Sequence, residues 1–86
     1  MLIVNTLIDW YQISYSLAGF DRPRFVSDIT ETIPQDESCQ IARLSFIGDG
    51  IQARGQLTIR VRQPQGFSLI QDRLRAVKGM VSVQTD

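Results

Sequence analysis

Between residues 51 and 62 the chain alternates, with Ile51, Ala53, Gly55, Leu57, Ile59 and Val61 on one side and Gln52, Arg54, Gln56, Thr58, Arg60 and Arg62 on the other. Period-two alternation of this kind predicts a strand buried on one face only. Asp49-Gly50 precedes it, a dipeptide favoured where a tight hairpin turn needs positive φ. Residues 41–47 then form the partner strand, with Ala42, Leu44 and Phe46 inward. Upstream, residues 12–18 alternate again, Ile13, Tyr15 and Leu17 against Gln12, Ser14 and Ser16. Two segments carry helical spacing instead. Phe25, Val26, Ile29 and Ile33 predict a helix over residues 22–33, with Asp21 capping the opening amides, Pro23 in the first turn and Pro34 as the stop. Phe67, Ile70, Leu74 and Val77 predict a second, closed by the basic Lys78 and by Gly79, before a short last strand around Val81 and Val83.

The order is strand, helix, strand, strand, helix, strand. Right-handed crossovers put both helices on one face of a four-stranded antiparallel sheet, in spatial order 4-1-3-2, the ferredoxin-like α+β sandwich. This unit occupies residues 11–86. Residues 1–10 remain as an N-terminal extended segment whose stretch LIVNTLIDW is too apolar for a free tail, so it is expected to pair within the fold or against another chain.

Charge changes this picture little at first sight, since the 86 residues hold nine basic and nine acidic side chains. No net field recruits nucleic acid or a membrane. The balance conceals a gradient. Residues 1–50 hold seven Asp and Glu against three Arg, and residues 51–86 hold six Lys and Arg against two Asp. No apolar run approaches the roughly 18 residues of a spanning helix, and the start lacks the basic region of a signal peptide. Cys39 is the single cysteine and histidine is absent, which excludes an internal disulfide, a Cys/His zinc site and any His-activated nucleophile. A cytoplasmic setting without cofactor or metal follows as the expectation.

Little else could carry chemistry. Capping and solvation account for Asp21 and Asp28 better than acid–base catalysis does. Gly48-Asp49-Gly50 lacks the lysine and helix of a phosphate loop. Asp36 and Glu37 oppose a reactive thiolate at Cys39, which reads as a small apolar residue opening a strand. The open sheet face offers Arg43, Arg54, Arg60 and Arg62 as contact candidates. Sheets of this architecture bind RNA through aromatics on their central strands, and the exposed side of the 51–62 strand has none. A solvated or protein-contacting arginine face is therefore favoured over nucleic acid.

The runs YSLAGFDRPRFVSDITETI, IARLSFIGDGIQARGQLTIRV and LIQDRLRAVKGMVSVQ resemble the ACT domain, a small regulatory βαββαβ module, over residues 11–84. In detail they are similar to the C-terminal ACT domain of RelA/SpoT-type (p)ppGpp synthetases/hydrolases. The matching features are the Asp21-Arg22 pair, Ser27-Asp28-Ile29-Thr30, the hairpin Asp49-Gly50 and the closing Lys78-Gly79-Met80-Val81-Ser82-Val83. The resemblance implies a regulatory, non-catalytic role, a homodimer joined through a sheet edge, and contacts to other domains of a parent GTP pyrophosphokinase or hydrolase. It also implies an amino-acid site at the first strand-to-helix corner, here Asp21, Arg22, Arg24 and Phe25. Related sequences commonly carry glycine after Asp-Arg-Pro, to let backbone amides approach a ligand carboxylate; this chain has Arg24. Two alternatives stay open. One is a free-standing amino-acid-binding regulatory subunit of the acetolactate synthase small-subunit type, and the other an RNA-contacting module that would touch the ribosome within a parent protein.

Overall fold

The structure, a computed structural model, describes residues 10–34 and 36–85 together with the backbone of residues 3–5. Its elements run β1 (Ile3–Asn5), β2 (Trp10–Phe20), α1 (Phe25–Glu31), β3 (Cys39–Gly48), β4 (Gln52–Val61), α2 (Gly66–Arg75) and β5 (Met80–Thr85). The strands β5, β2, β4 and β3 lie side by side, all antiparallel, which is the expected 4-1-3-2 order. β1 adds three residue pairs, Ile3 to Asn5 against Gln12 to Trp10, at the start of β2. The rest of the N-terminal segment, residues 1–2 and 6–9, lies outside the described residues. No described helix is long and apolar enough to cross a membrane.

Both helices cover one face. Tyr15 and Leu17 of β2 and Leu57 and Ile59 of β4 are buried against Phe25 and Ile29 of α1 and Ile70 and Leu74 of α2. These positions follow the two periods in the sequence, two for the strands and 3.6 for the helices, so each element buries one side. Burying a side chain of this size is worth about 1.5–3 kcal/mol relative to leaving it exposed.

Local structure departs from the sequence reading in several places. The first helix spans Phe25–Glu31 rather than 22–33, because Pro23 and Arg24 form a turn and Arg24 takes a left-handed conformation (φ 69°) immediately before it. Asp21 does not cap that helix; no side chain does. In β3 the register slips between Ile41 and Arg43, so the bulge at Ala42 leaves that residue exposed and brings Ile41 into phase with Leu44 and Phe46 on the inner face. At the hairpin, Asp49 N–H donates to the Gln52 carbonyl, so Gly50 (φ 91°) and Ile51 occupy the turn, one residue later than read, and Ile51 is exposed. The second helix forms where expected but closes earlier, at Ala76, with Arg73 and Arg75 rather than Lys78 in its last turn; Gly79 lies in the turn before β5, in the left-handed conformation (φ 89°) that glycine tolerates without strain.

Candidate functional site

The corner between β2 and α1 is assembled from side chains that bind the rest of the fold. Asp21 lies at the end of β2, where its own N–H donates to the Ile51 carbonyl and its Oδ2 accepts the Gly50 N–H at 2.8 Å. The carboxylate rests against Gly48, where an added Cβ would stand 2.6 Å from Asp21 Cγ. Asp21 therefore ties the corner to the hairpin turn on the adjoining strands.

Arg22 faces the opposite way. Its Nε and Nη2 donate to the Lys78 carbonyl at 2.9 and 2.7 Å, Nη2 also donates to Asp28 Oδ2 at 2.8 Å, and Nη1 donates to the Pro23 carbonyl. Its guanidinium also lies 5.7 Å from the centre of the Phe25 ring. One planar cation thus clasps α1 to the segment between α2 and β5. A guanidinium suits this task because its donors diverge in one plane.

Phe25 belongs to the core. It is buried, meets Phe46 edge-to-face with centroids 6.1 Å apart, and fills the space over Gly19, where a Cβ would also come within 2.7 Å of the Gly79 carbonyl oxygen. Arg24 turns away along α1, with Nη2 donating to Glu31 Oε1 at 2.9 Å and Nε 3.8 Å from Asp28 Oδ1. So the four corner residues are neighbours in space, but they point to four destinations: the hairpin, the α2–β5 segment, the helix surface and the core.

The open face gathers the arginines. Arg60 donates from Nε to Gln12 Oε1 at 3.0 Å, and the hydroxyls of Ser14 and Thr58 lie 2.7 Å apart in the next row. Arg43 stands opposite Thr58, and Arg54 stands between Ala18 and Ile47; both are exposed. Arg62, just beyond β4, donates to the Glu37 carbonyl and places its guanidinium 4.4 Å from the Trp10 ring centre. Sequence reasoning missed this cation–π pair and the exposed Phe20 at the other end of β2. The signal was present: Trp10 and Phe20 share the even positions of Gln12, Ser14 and Ser16, so extending the alternation puts both rings on this face.

Among the described residues no group of three or more His, Cys, Asp and Glu side chains comes together as a metal site. Burial, reinforced by the Asp36 charge, pushes the Cys39 thiol up and makes it unreactive as a thiolate. Two loop carboxylates are held low by hydrogen bonds, Asp36 by Ser38 and Asp49 by the amides of Gln52 and Ile51. Both bonds order turns.

No protein-family model matches the chain, and no curated protein matches it either. Solved structures do. The crystal structure of the ACT domain from the GTP pyrophosphokinase of Chlorobium tepidum is similar with a TM-score of 0.74 at 20% identity, covering 87% of this chain and 96% of that one. The solution structure of the same domain gives 0.71 at 19% identity, covering 91% and 88%. The chain therefore has the ACT fold.

Proposed function

We propose that this chain is a regulatory, non-catalytic ACT domain from the C-terminal region of a cytoplasmic (p)ppGpp synthetase/hydrolase of the RelA/SpoT type. The observation that carries the reading is the likeness, over 87% of this chain and nearly all of the other, to the ACT domain of a GTP pyrophosphokinase. The motifs shared with that group at Asp21-Arg22 and at residues 78–83 support it from the sequence side.

In this role the domain acts by contact. Its state biases distant catalytic domains between synthesis and hydrolysis, which requires different contacts in the two states. It pairs with a second copy through β3, which among the described residues has a strand partner on one side only, β4, and so presents a row of unpaired backbone groups. A two-fold axis beside that edge closes the sheet without leaving a further edge to propagate. The bulge at Ala42 interrupts the edge, so pairing runs along residues 43–48.

The corner serves as a clasp rather than an amino-acid pocket. Asp21, Arg22 and Phe25 are engaged within the chain, and Arg24 stands where a ligand-binding relative would need a small residue.

Sedimentation equilibrium combined with hydrogen exchange tests the reading. The expected result is twice the 9.7 kDa chain mass, with protection at residues 43–48 that is lost on dilution. A monomer at every concentration, with that edge exchanging freely, would overturn the dimer.

A further inference from the structure

Every charged side chain in the five strands is an arginine. Arg43, Arg54 and Arg60 are the only charged residues in β1 to β5, and no strand holds an Asp or Glu. All three stand on the face turned away from the helices, opposite Thr58, Ala18 and Gln12 respectively. Among the described strand residues this face thus carries cations and no carboxylate, the nearest being Asp49 of the hairpin turn, whose carboxyl Arg54 helps to hold low.

Beside Arg54 lies a shallow concavity of about 660 Å³, lined by hydroxyls and amides of Ser45, Gln56, Ser82 and Gln84 and by the exposed apolar side chains of Ile47 and Val81; Arg43 and Arg60 stand outside it. Small side chains along β2 form its floor. Four residues separate Arg54 from the row of Arg43, and two more lead to Arg60, so the cations are spaced about 13 and then about 7 Å along the strand direction at roughly 3.3 Å per residue. An extended chain presents alternate side chains at that same spacing.

The rings do not favour nucleic acid. Trp10 is buried beside Arg62, Phe20 is exposed but lies at the far end, and the middle of the face carries hydroxyls, amides and the aliphatic Ile47 and Val81 but no ring. Single-stranded nucleic acid needs accessible aromatic platforms for its bases. Screening also shortens the reach of these charges to about 8 Å at physiological salt, so the partner must bring its negative groups into contact.

We propose that this open face is the docking surface for an extended acidic polypeptide segment, whose carboxylates pair with Arg54 and Arg43 while its polar backbone lies over the Ser and Gln side chains. The inference rests on the regulatory reading only in taking the partner to be protein. It does not depend on the dimer.

The test uses the 86-residue protein and three fluorescent probes: a deca-glutamate peptide, a deca-glutamine peptide and a ten-nucleotide oligouridine RNA, followed by anisotropy at low and moderate salt. The glutamate peptide should bind, the glutamine peptide should not, and raising salt from about 50 to about 200 mM should weaken binding several-fold. Arg43→Thr combined with Arg54→Thr should weaken it about 10-fold or more with the melting temperature retained, whereas Arg73→Gln with Arg75→Gln on α2 should leave it unchanged. Absence of glutamate-peptide binding, an equal loss in the helix variant, or tighter binding of the RNA would each overturn the proposal. Sedimentation of the same sample separates this outcome from failure of the dimer.

Discussion

At residue scale, Arg24 and Tyr15 stand out as local costs. Arg24 is the only described non-glycine residue with positive φ, a conformation that costs an L-residue about 1–2 kcal/mol. Its compensation is an exposed ion pair with Glu31, and such pairs are worth about 0–1 kcal/mol. Arg24→Gly should therefore keep stability within about 0.5 kcal/mol or raise it by up to about 1 kcal/mol, measured by urea unfolding. A β-branched valine there should lose about 1–2 kcal/mol. A clear loss in the glycine variant would mean that the Arg24 side chain, not its backbone, sets the turn.

Tyr15 is buried, and its hydroxyl has no hydrogen-bond partner among the described residues. Burial, with a smaller contribution from Cys39, pushes its pKa from 10.0 up to about 12. The unfolded chain thus releases this proton before the folded one does, so stability is unaffected below pH 10 and falls as pH rises from 10 towards 12. Tyr15→Phe should remove that part of the alkaline loss and raise neutral-pH stability by about 1 kcal/mol, about 4–8 °C in Tm for a domain this size. The sequence marked Tyr15 as inward. It did not reveal that the hydroxyl finds no partner, because that depends on which side chains from three elements arrive around it.

At element scale, the strands and helices were legible because each rests on a local period, and the departures fall where local rules compete. Asp21 was read as a cap because Asp before a helix usually is one. In the fold, the Gly50 amide of a distant hairpin is the better partner, and the left-handed turn at Arg24 moves the helix start out of reach. Likewise the alternation through residues 41–47 could be phased only as an unbroken strand, and a bulge at Ala42 shifts it by one.

The hairpin itself depends on Asp49, whose Oδ1 accepts the amides of Ile51 and Gln52 at 2.8 and 2.7 Å. These bonds hold its pKa below the ordinary 3.8, so their stabilisation is complete above that value and is lost as pH falls through the lowered one. Asp49→Ala should destabilise the protein at neutral pH, and the difference from the parent should shrink in acid unfolding measurements below about pH 3.8. A difference constant down to pH 2 would assign the loss to packing or turn propensity instead.

At the scale of the whole molecule, sequence order and the chirality of crossovers sufficed for the topology, whereas the division of labour at the corner was not readable. Asp21, Arg22, Arg24 and Phe25 form one cluster in sequence, yet Gly50, Lys78, Glu31 and Phe46 separate them in space, and three of those partners lie twenty or more residues away along the chain. The same geometry shapes the functional proposal. A corner that uses its polar groups to hold a hairpin and the α2–β5 segment has few left for a ligand, so regulation falls to surfaces: the β3 edge and the arginine face.

The most direct measurement of that claim is the melting temperature of the protein in the presence of each of the twenty amino acids. A ligand present at about 100 times its Kd stabilises by about 2.7 kcal/mol, enough to raise Tm by roughly 10 °C or more in a small domain. The proposal predicts no specific shift with any of the twenty. A rise of several degrees with one amino acid, absent with the others and saturating with concentration, would contradict it and make the corner a pocket.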